Sequence, residues 1–376
     1  MSGSMRLVVL GLSLSSSWGN GHATTYRALL KAFAARGHDI LFLERETEWY
    51  AGNRDLADPG YADLRFYRDL AGLRDFHDEI ASADAVIVGS YVPEGVAVGA
   101  FVQSAARGVT AFYDIDTPVT LSDLAKGECG YLSAALVPGY DVYLSFTGGP
   151  TLVRIEDQLA SPAARALYCS VDTAAYPALG GPKQWDLSYL GTYSADRQPT
   201  LERLLIEPAR RLPFRRFVVA GSQYPDTIDW PANVERIEHL PPTGHPRFYA
   251  ASRYTLNVTR ADMIVAGWSP SVRLFEASAC ATPIVSDRWD GLEALFAPNR
   301  EIILADDTDD VVRLIDKGDP VRAAAIGAAA RLRILVAHTA EVRAIELERH
   351  LAEAAARKPA PAEAPDHAAY ALDASS

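Results

Sequence analysis

The feature that most limits what this chain can become is an alternation that runs through it twice: a short apolar segment, then a segment with helical spacing. RLVVLGL at 6–12 is such an apolar run. A Ser- and Gly-rich loop follows, then Tyr26, Leu29, Leu30 and Phe33 at i, i+3, i+4 and i+7, a stripe that predicts a helix. Gly37 ends it, as a residue that readily takes the left-handed conformation after a helix. DILFLE (39–44), AVIVGSY (85–91), VTAFYDI (109–115), DVYLSF (141–146) and ALYCSV (166–171) supply further strands. Runs that are apolar at both phases of the strand period are buried on both faces. Such strands build parallel sheets sandwiched between helices.

The second half repeats the pattern, with strands predicted at 187–191, 215–221, 234–238, 254–258 and 283–286. Helices are predicted at 199–211, 245–252, 269–280, 291–296 and 308–316. The fold class is therefore α/β, with two Rossmann-like, doubly wound domains: residues 5–178 and residues 179–335. The linker falls at about 172–186, where DTAAYPALGGPKQW collects Pro and Gly. An Ala-, Glu- and Arg-rich helix at about 334–356 is expected to cross back to the first domain as a separate element, 336–357. Residues 358–376 have little to bury and read as a disordered tail. Met5 is a candidate natural start.

A length of 376 residues suits two domains with their own cores. The net charge of −12 argues against a nucleic-acid partner and against adsorption to an anionic membrane. Three cysteines without a CxxC pair (Cys129, Cys169, Cys280) fit neither a disulfide framework nor a structural zinc site, and point to a reducing cytoplasm. No apolar run reaches the length of a transmembrane helix, and no signal-peptide order opens the chain.

Ligands of open parallel sheets bind outside the carboxyl ends of the strands, so two such sheets place the site in the cleft between them. The richest segment is 254–290, YTLNVTRADMIVAGWSPSVRLFEASACATPIVSDRWD. Ser269 is the expected N-cap of a helix, with Pro270 at its first position. Free N–H groups and the helix dipole there make an anion site, so a diphosphate is expected on Ser271 and Val272. Arg273 lies in the first turn, where the dipole disfavours a cation, and a phosphate would offset that. Glu276, one turn on, can accept hydrogen bonds from two ribose hydroxyls. A bare i,i+3 ion pair between Arg273 and Glu276 explains the same two residues without a ligand.

This segment resembles the donor-binding helix of the group 1 glycosyltransferases, and more closely their CgeB-like branch, through Arg273, Phe275–Glu276–Ala277, Ala279–Cys280, Thr282–Pro283 and Ser286–Asp287. The likeness is specific over 254–296 and loose over the rest of about 5–335. It implies a GT-B fold, with a nucleotide-sugar donor (UDP-, GDP- or dTDP-linked) held by the second domain and an acceptor by the first. It also implies that the glutamate matching Glu276 binds the donor ribose. The family's paired glutamate, eight positions earlier, is replaced by Trp268. LYCSVDTAAYP (167–177) resembles the interdomain strand. LGTYSADRQP (190–199) resembles the first donor-domain strand, which makes Gly191 a point of close backbone approach and Arg197 a diphosphate ligand. HLPP (239–242) falls where the base would sit. Arg260, at the end of its strand, is expected to touch the donor.

In the first domain, Gly19, Asn20, Gly21 and His22 join the first strand to its helix and are expected to face the cleft. Asp114 and Asp116 follow a buried strand and precede Pro118, so either can serve as the base that takes a proton from an acceptor hydroxyl. Their DxD spelling is not read as a metal site, because enzymes of the implied fold bind diphosphate by helix dipole and arginine. No metal or cofactor is expected. Gly148 and Gly149 in SFTGGP are expected to line the acceptor side, and Glu94 is a weaker base candidate. The function implied is metal-independent transfer of a sugar from a nucleoside diphosphate to a carbohydrate, lipid-linked, protein or small-molecule hydroxyl, with retention or inversion open. A nucleotide-sugar epimerase of the same fold, or a non-catalytic nucleotide-sugar-binding protein, are the rival readings. A dinucleotide dehydrogenase fits poorly: Glu44 ends the second strand as a ribose-binding acid would, but GxGxxG is missing.

Overall fold

Strands that are apolar at every position need cover on both sides, and both sheets have it. The computed structural model describes residues 3–18 and 21–358. The first sheet contains β1 (Arg6–Gly11), β2 (Asp39–Arg45), β3 (Asp63–Tyr67), β4 (Ala85–Gly89), β5 (Val109–Asp114), β6 (Val142–Ser145) and β7 (Ala164–Ala166), in the order β3-β2-β1-β4-β5-β6-β7. The second contains β8 (Trp185–Leu190), β9 (Phe217–Ala220), β10 (Val234–Ile237), β11 (Ser252–Asn257), β12 (Ile284–Ser286) and β13 (Ile303–Leu304), in the order β10-β9-β8-β11-β12-β13. All pairings are parallel.

β1 shows how the alternation works. Leu7 and Val9 join a core with Leu29 and Phe33 of the helix Gly21–Ala34. Val8 and Leu10, on the other face, pack with Val98 and Val102 of the helix Gly95–Ala105. The chain order reverses between β1 and β4 in the first sheet and between β8 and β11 in the second. Those two reversals create the crevices where ligands of doubly wound sheets bind.

The structure departs from the sequence reading in places. β3 and β13 are edge strands that were not anticipated: β3 mixes apolar and charged residues, and β13 is two residues long, too short to show a period. The strand expected at 166–171 ends at Ala166, after which the chain leaves the sheet edge, and Val171 makes a lone bridge to Thr339. The single helix expected at 334–356 is two, Pro320–Ala337 and Ala340–Arg357, separated by His338 and Thr339. Thr339 caps the second through the Val342 N–H (3.3 Å). His338 stacks near Phe275 and Phe296 and touches Arg343, so buried packing, not a Gly or Pro, sets the break.

The last helix lies on the first domain. Leu347 and Leu351 join the core containing Leu29 and Phe33. Glu348 accepts from Arg36 (2.6 and 2.7 Å) and sits 2.5 Å from His38. The Arg36 hydrogen bond, with His38 behind it, holds this carboxyl down at about 2. The expected tail falls almost wholly on residues 359–376, outside the described residues.

Candidate active site

The second-domain half of the site grows from the helix Val272–Ala279. Its N-cap is Ser271, not Ser269. Ser269 is buried and its hydroxyl meets Thr147 of the first domain (2.9 Å), so it is spent on the domain contact, and Pro270 precedes the cap instead of opening the helix. The Ser271 hydroxyl turns away to Asn257 Oδ1 (2.7 Å). The helix therefore starts without a side-chain cap, and its N–H groups remain an anion-binding end.

Arg273 does not pair with Glu276. It is buried, donates to Leu190 O (2.5 Å) and Asn257 Oδ1 (3.1 Å), and lies over the Tyr189 ring. A Cβ on Gly191 would stand 2.7 Å from its guanidinium, and one on Gly221 (φ +148°) would stand 2.1 Å from Gly191 O. Two glycine turns thus clear the space in which the arginine lies. Arg197 caps nothing; it donates to Thr192 O (2.7 Å), and its buried Nε has no hydrogen-bond partner among the described residues. Burial lowers its pKa, helped by the charges of Arg273 and Arg260. Glu276 is buried, accepting from Tyr176 (2.8 Å) and Tyr249 (3.3 Å), with His245 at 3.6 Å.

Arg273 and Glu276 line one interdomain pocket, whose lining does not include Arg197. Gly191, Gly221, His239, Leu240, Val272, Arg273 and Glu276 stand on one side, with Ser17, Gly21 and Thr24 on the other. Leu240, from HLPP, accepts from or faces the His245 ring at 3.3 Å.

The first-domain candidates separate. Asp114 is fully buried and accepts from Tyr143 (2.5 Å), Thr120 (2.7 Å) and the Asp116 N–H (3.2 Å). Burial pushes its carboxyl up to about 6. It has no solvent access and both of its oxygens are engaged, so it holds the loop. Asp116 reaches further out: it accepts from Tyr91 (3.1 Å) and lies 3.7 Å from Arg260 of the second domain, which is itself 3.8 Å from Asp196. Burial raises its pKa against the pull of Arg260. His22 stands edge-on to Tyr91 (5.3 Å), and burial depresses it to about 4, so it is neutral at pH 7. His22, Tyr91 and Asp116 follow β1, β4 and β5, neighbours at the reversal of the first sheet. Gly19 and Asn20 lie outside the described residues.

Gly148 and Gly149, expected on the acceptor side, stand against a tryptophan of the second domain. Gly148 N donates to Trp268 O (2.9 Å), and Trp268 N to Asp290 O (2.6 Å). A Cβ on Gly149 (φ +58°) or on Gly291 (φ +88°) would lie 2.4 Å from the Trp268 indole. The residue standing where the resemblance expects glutamate is thus clasped between a glycine of each domain. Glu94 is paired with Arg45 (2.5 Å) away from this cluster of contacts. Glu44 is consumed by four hydrogen bonds from Ser13, Leu14 and Ser15, which removes it as a ribose acid.

Sequence reasoning missed Asn257, the residue that aligns Ser271 with Arg273. A polar residue inside the buried run YTLNV was the available signal. It also missed Tyr249 and His245 around Glu276, for which helix periodicity gives none.

Residues 197–349 match the glycosyl transferase-like family. Compared by sequence with curated proteins, the chain matches none. Its fold is shared with sucrose-phosphate synthase from Thermosynechococcus elongatus (14% identity, TM-score 0.65, covering 93% of this chain and 98% of that one). It is also shared with HepE of Anabaena, solved with UDP and glucose (13%, 0.70, 93% and 100%). A third similar structure is an alpha-glucosyltransferase solved with UDP and a DNA 13-mer (12%, 0.67, 93% and 100%). The architecture is GT-B. Among the described residues no helix is long and apolar enough to cross a membrane.

Proposed function

We propose that the chain, whose architecture is GT-B, is a glycosyltransferase that takes its sugar from a uridine diphosphate donor seated between the uncapped helix at Ser271 and the arginines Arg197, Arg260 and Arg273. One observation carries this reading: Arg273, in the first turn of an uncapped helix, and Arg197, close enough to feel its charge, have no carboxylate in hydrogen-bond contact among the described residues, and the buried carboxylate of Glu276 lies one turn on. A diphosphate supplies the missing anion, and the ribose hydroxyls supply donors for Glu276. The backbone at His239 and Leu240 is left for the base. The UDP found with two of the similar structures supports uridine over the other nucleosides.

The diphosphate charge is met by guanidinium groups and helix N–H groups, and we assign no essential metal. Asp116 is the base candidate of this reading. Arg260 holds it from across the cleft, and a diphosphate drawing Arg260 away would free the carboxylate for an acceptor hydroxyl. The pairing of Phe275, Glu276 and Ala277 with the following Thr282–Pro283 supports placing the chain in the CgeB-like branch. With a net charge of −12, we do not extend the DNA acceptor of one neighbour to this protein.

A thermal-shift panel of UDP, GDP, dTDP and CMP tests the donor. Stabilisation by UDP alone is expected, about 2.7 kcal/mol at a hundredfold excess over Kd. Equal response to all four, or to none, refutes the assignment. Trp268 favours one other reading, a binding protein without turnover. Release of UDP from a UDP-sugar in the presence of acceptor, undiminished by EDTA, rules that out and supports the metal-free assignment.

A further inference from the structure

We infer that Trp18 and Trp49 form a saccharide platform at the rim of the cleft, on which a pyranose ring of a glycan acceptor stacks; this rests on the transferase reading above and names its acceptor class. The two indoles are 42% and 59% exposed, and their centroids lie 4.7 Å apart at 71°. One ring can offer a face while the other forms a wall, a corner suited to a flat-sided ring carrying C–H groups.

The surrounding chain is built to hold that corner still. Buried Glu44 takes four hydrogen bonds from residues 13–15. Asp55 accepts from Ser17 N (3.0 Å), Ser17 Oγ (2.5 Å) and Arg27 (2.6 Å). Ser16 donates to Asn53 O (2.7 Å), and Asn53 donates to Trp49 O (2.9 Å). The loop bearing Trp18 and the turn bearing Trp49 are therefore stapled together. The two indoles stay well exposed while their backbones are tied together, and a preorganised surface of this kind loses less entropy on binding.

Position and charge select the occupant. Ser17, the residue before Trp18, lines the donor pocket, so the corner continues the cleft. Glu46 and Asp55 are neutralised by Arg54 and Arg27, Glu48 stands next to Trp49 in sequence, and the whole chain is acidic. That balance opposes an anionic lipid surface or a nucleic acid and suits an uncharged saccharide.

The test is binding of the full chain, saturated with UDP, to a printed oligosaccharide array, with co-sedimentation on phosphatidylcholine vesicles in parallel. The expected result is saturable binding to at least one oligosaccharide class, weakened tenfold or more in the Trp18→Ala/Trp49→Ala variant, with no vesicle binding. No oligosaccharide bound, equal binding by the variant, or vesicle binding lost in the variant each overturns the platform. The UDP thermal shift is read on the same samples: if it persists while glycan binding fails, the platform alone is wrong, and if it is missing from the unaltered chain, the donor reading has failed first.

Discussion

Replacing Glu276 puts the proposed donor site to its sharpest test, because that proposal gives this carboxylate two separable jobs. It accepts from Tyr176 and Tyr249 inside the protein, it lines the pocket, and in the proposed site it also accepts from two ribose hydroxyls. A hydrogen bond to a charged group contributes about 1.5–3 kcal/mol. Losing one in full, with the second half-compensated by water, amounts to roughly 2–4 kcal/mol. At about 1.4 kcal/mol per decade, Glu276→Ala should weaken UDP binding by roughly 30- to 1000-fold. The same change strands two tyrosine hydroxyls at about 1–3 kcal/mol each, so the protein should also melt several degrees lower. Glu276→Gln preserves the volume and one acceptor oxygen; it should lose about tenfold in affinity with a smaller drop in melting temperature. Isothermal titration with UDP on all three proteins, each checked by melting, separates the jobs. If Glu276→Ala melts early yet binds UDP with unaltered Kd, the glutamate is only a partner for tyrosines and the proposed donor helix is wrong.

Asp114 gives a pH signature: its folded pKa of about 6 lies above the usual 3.8, so the fold holds the proton more tightly and this group adds stability as pH falls through that window. Between pH 7.5 and pH 5 the protein should gain about 1.4 kcal/mol relative to Asp114→Asn, measured by urea unfolding; parallel pH profiles would refute the buried assignment. Gly149→Ala forces a Cβ into the Trp268 indole at a positive φ and should cost about 2–4 kcal/mol. Combining it with Trp268→Ala should recover at least about 1 kcal/mol of that, and strict additivity in the double-mutant cycle would deny the contact. Leu351→Ala, in the helix that lies back on the first domain, removes a buried side chain and should cost about 2–5 kcal/mol; an unchanged melting temperature would show that the helix does not dock in solution.

Strand periodicity made the two sheets legible because the central strands are buried on both faces, a pattern few other folds require. It failed at β3, whose edge position leaves charged residues in water, and at β13, two residues long. The helix Val272–Ala279 was legible from FEA and the proline that follows, but its start was misplaced by two residues. Ser269 and Ser271 are equally good caps in isolation, and only the first domain's Thr147 decides between them. Asp114 and Asp116 are likewise indistinguishable in sequence. Which one reaches the cleft depends on Tyr143 and Thr120 closing around the first, contacts 29 and 6 residues away in sequence. The glycines of SFTGGP carried no sign of what they pack against: the small size of Gly149 makes room for an indole 119 residues further on, that of Trp268, and the small size of Gly148 makes room for Tyr168.

The two halves of the cleft can be told apart by electrostatics alone. At the reversal of the second sheet the chain gathers arginines. Arg197 and Arg273 bond to backbone carbonyls and an amide, which orient a cation but leave its charge unmet. At the reversal of the first sheet it gathers a carboxylate, a phenol and a neutral imidazole, groups that accept or pass a proton. Arg260 reaches from the second wall to the first, and its contacts to Asp116 and Asp196 are long and partly exposed, so they are weak and readily exchanged for a stronger anion. An anion-hungry wall facing a proton-accepting one is the arrangement that group transfer from a diphosphate requires. A site that only stored the nucleotide sugar would need the first wall and have no use for the second.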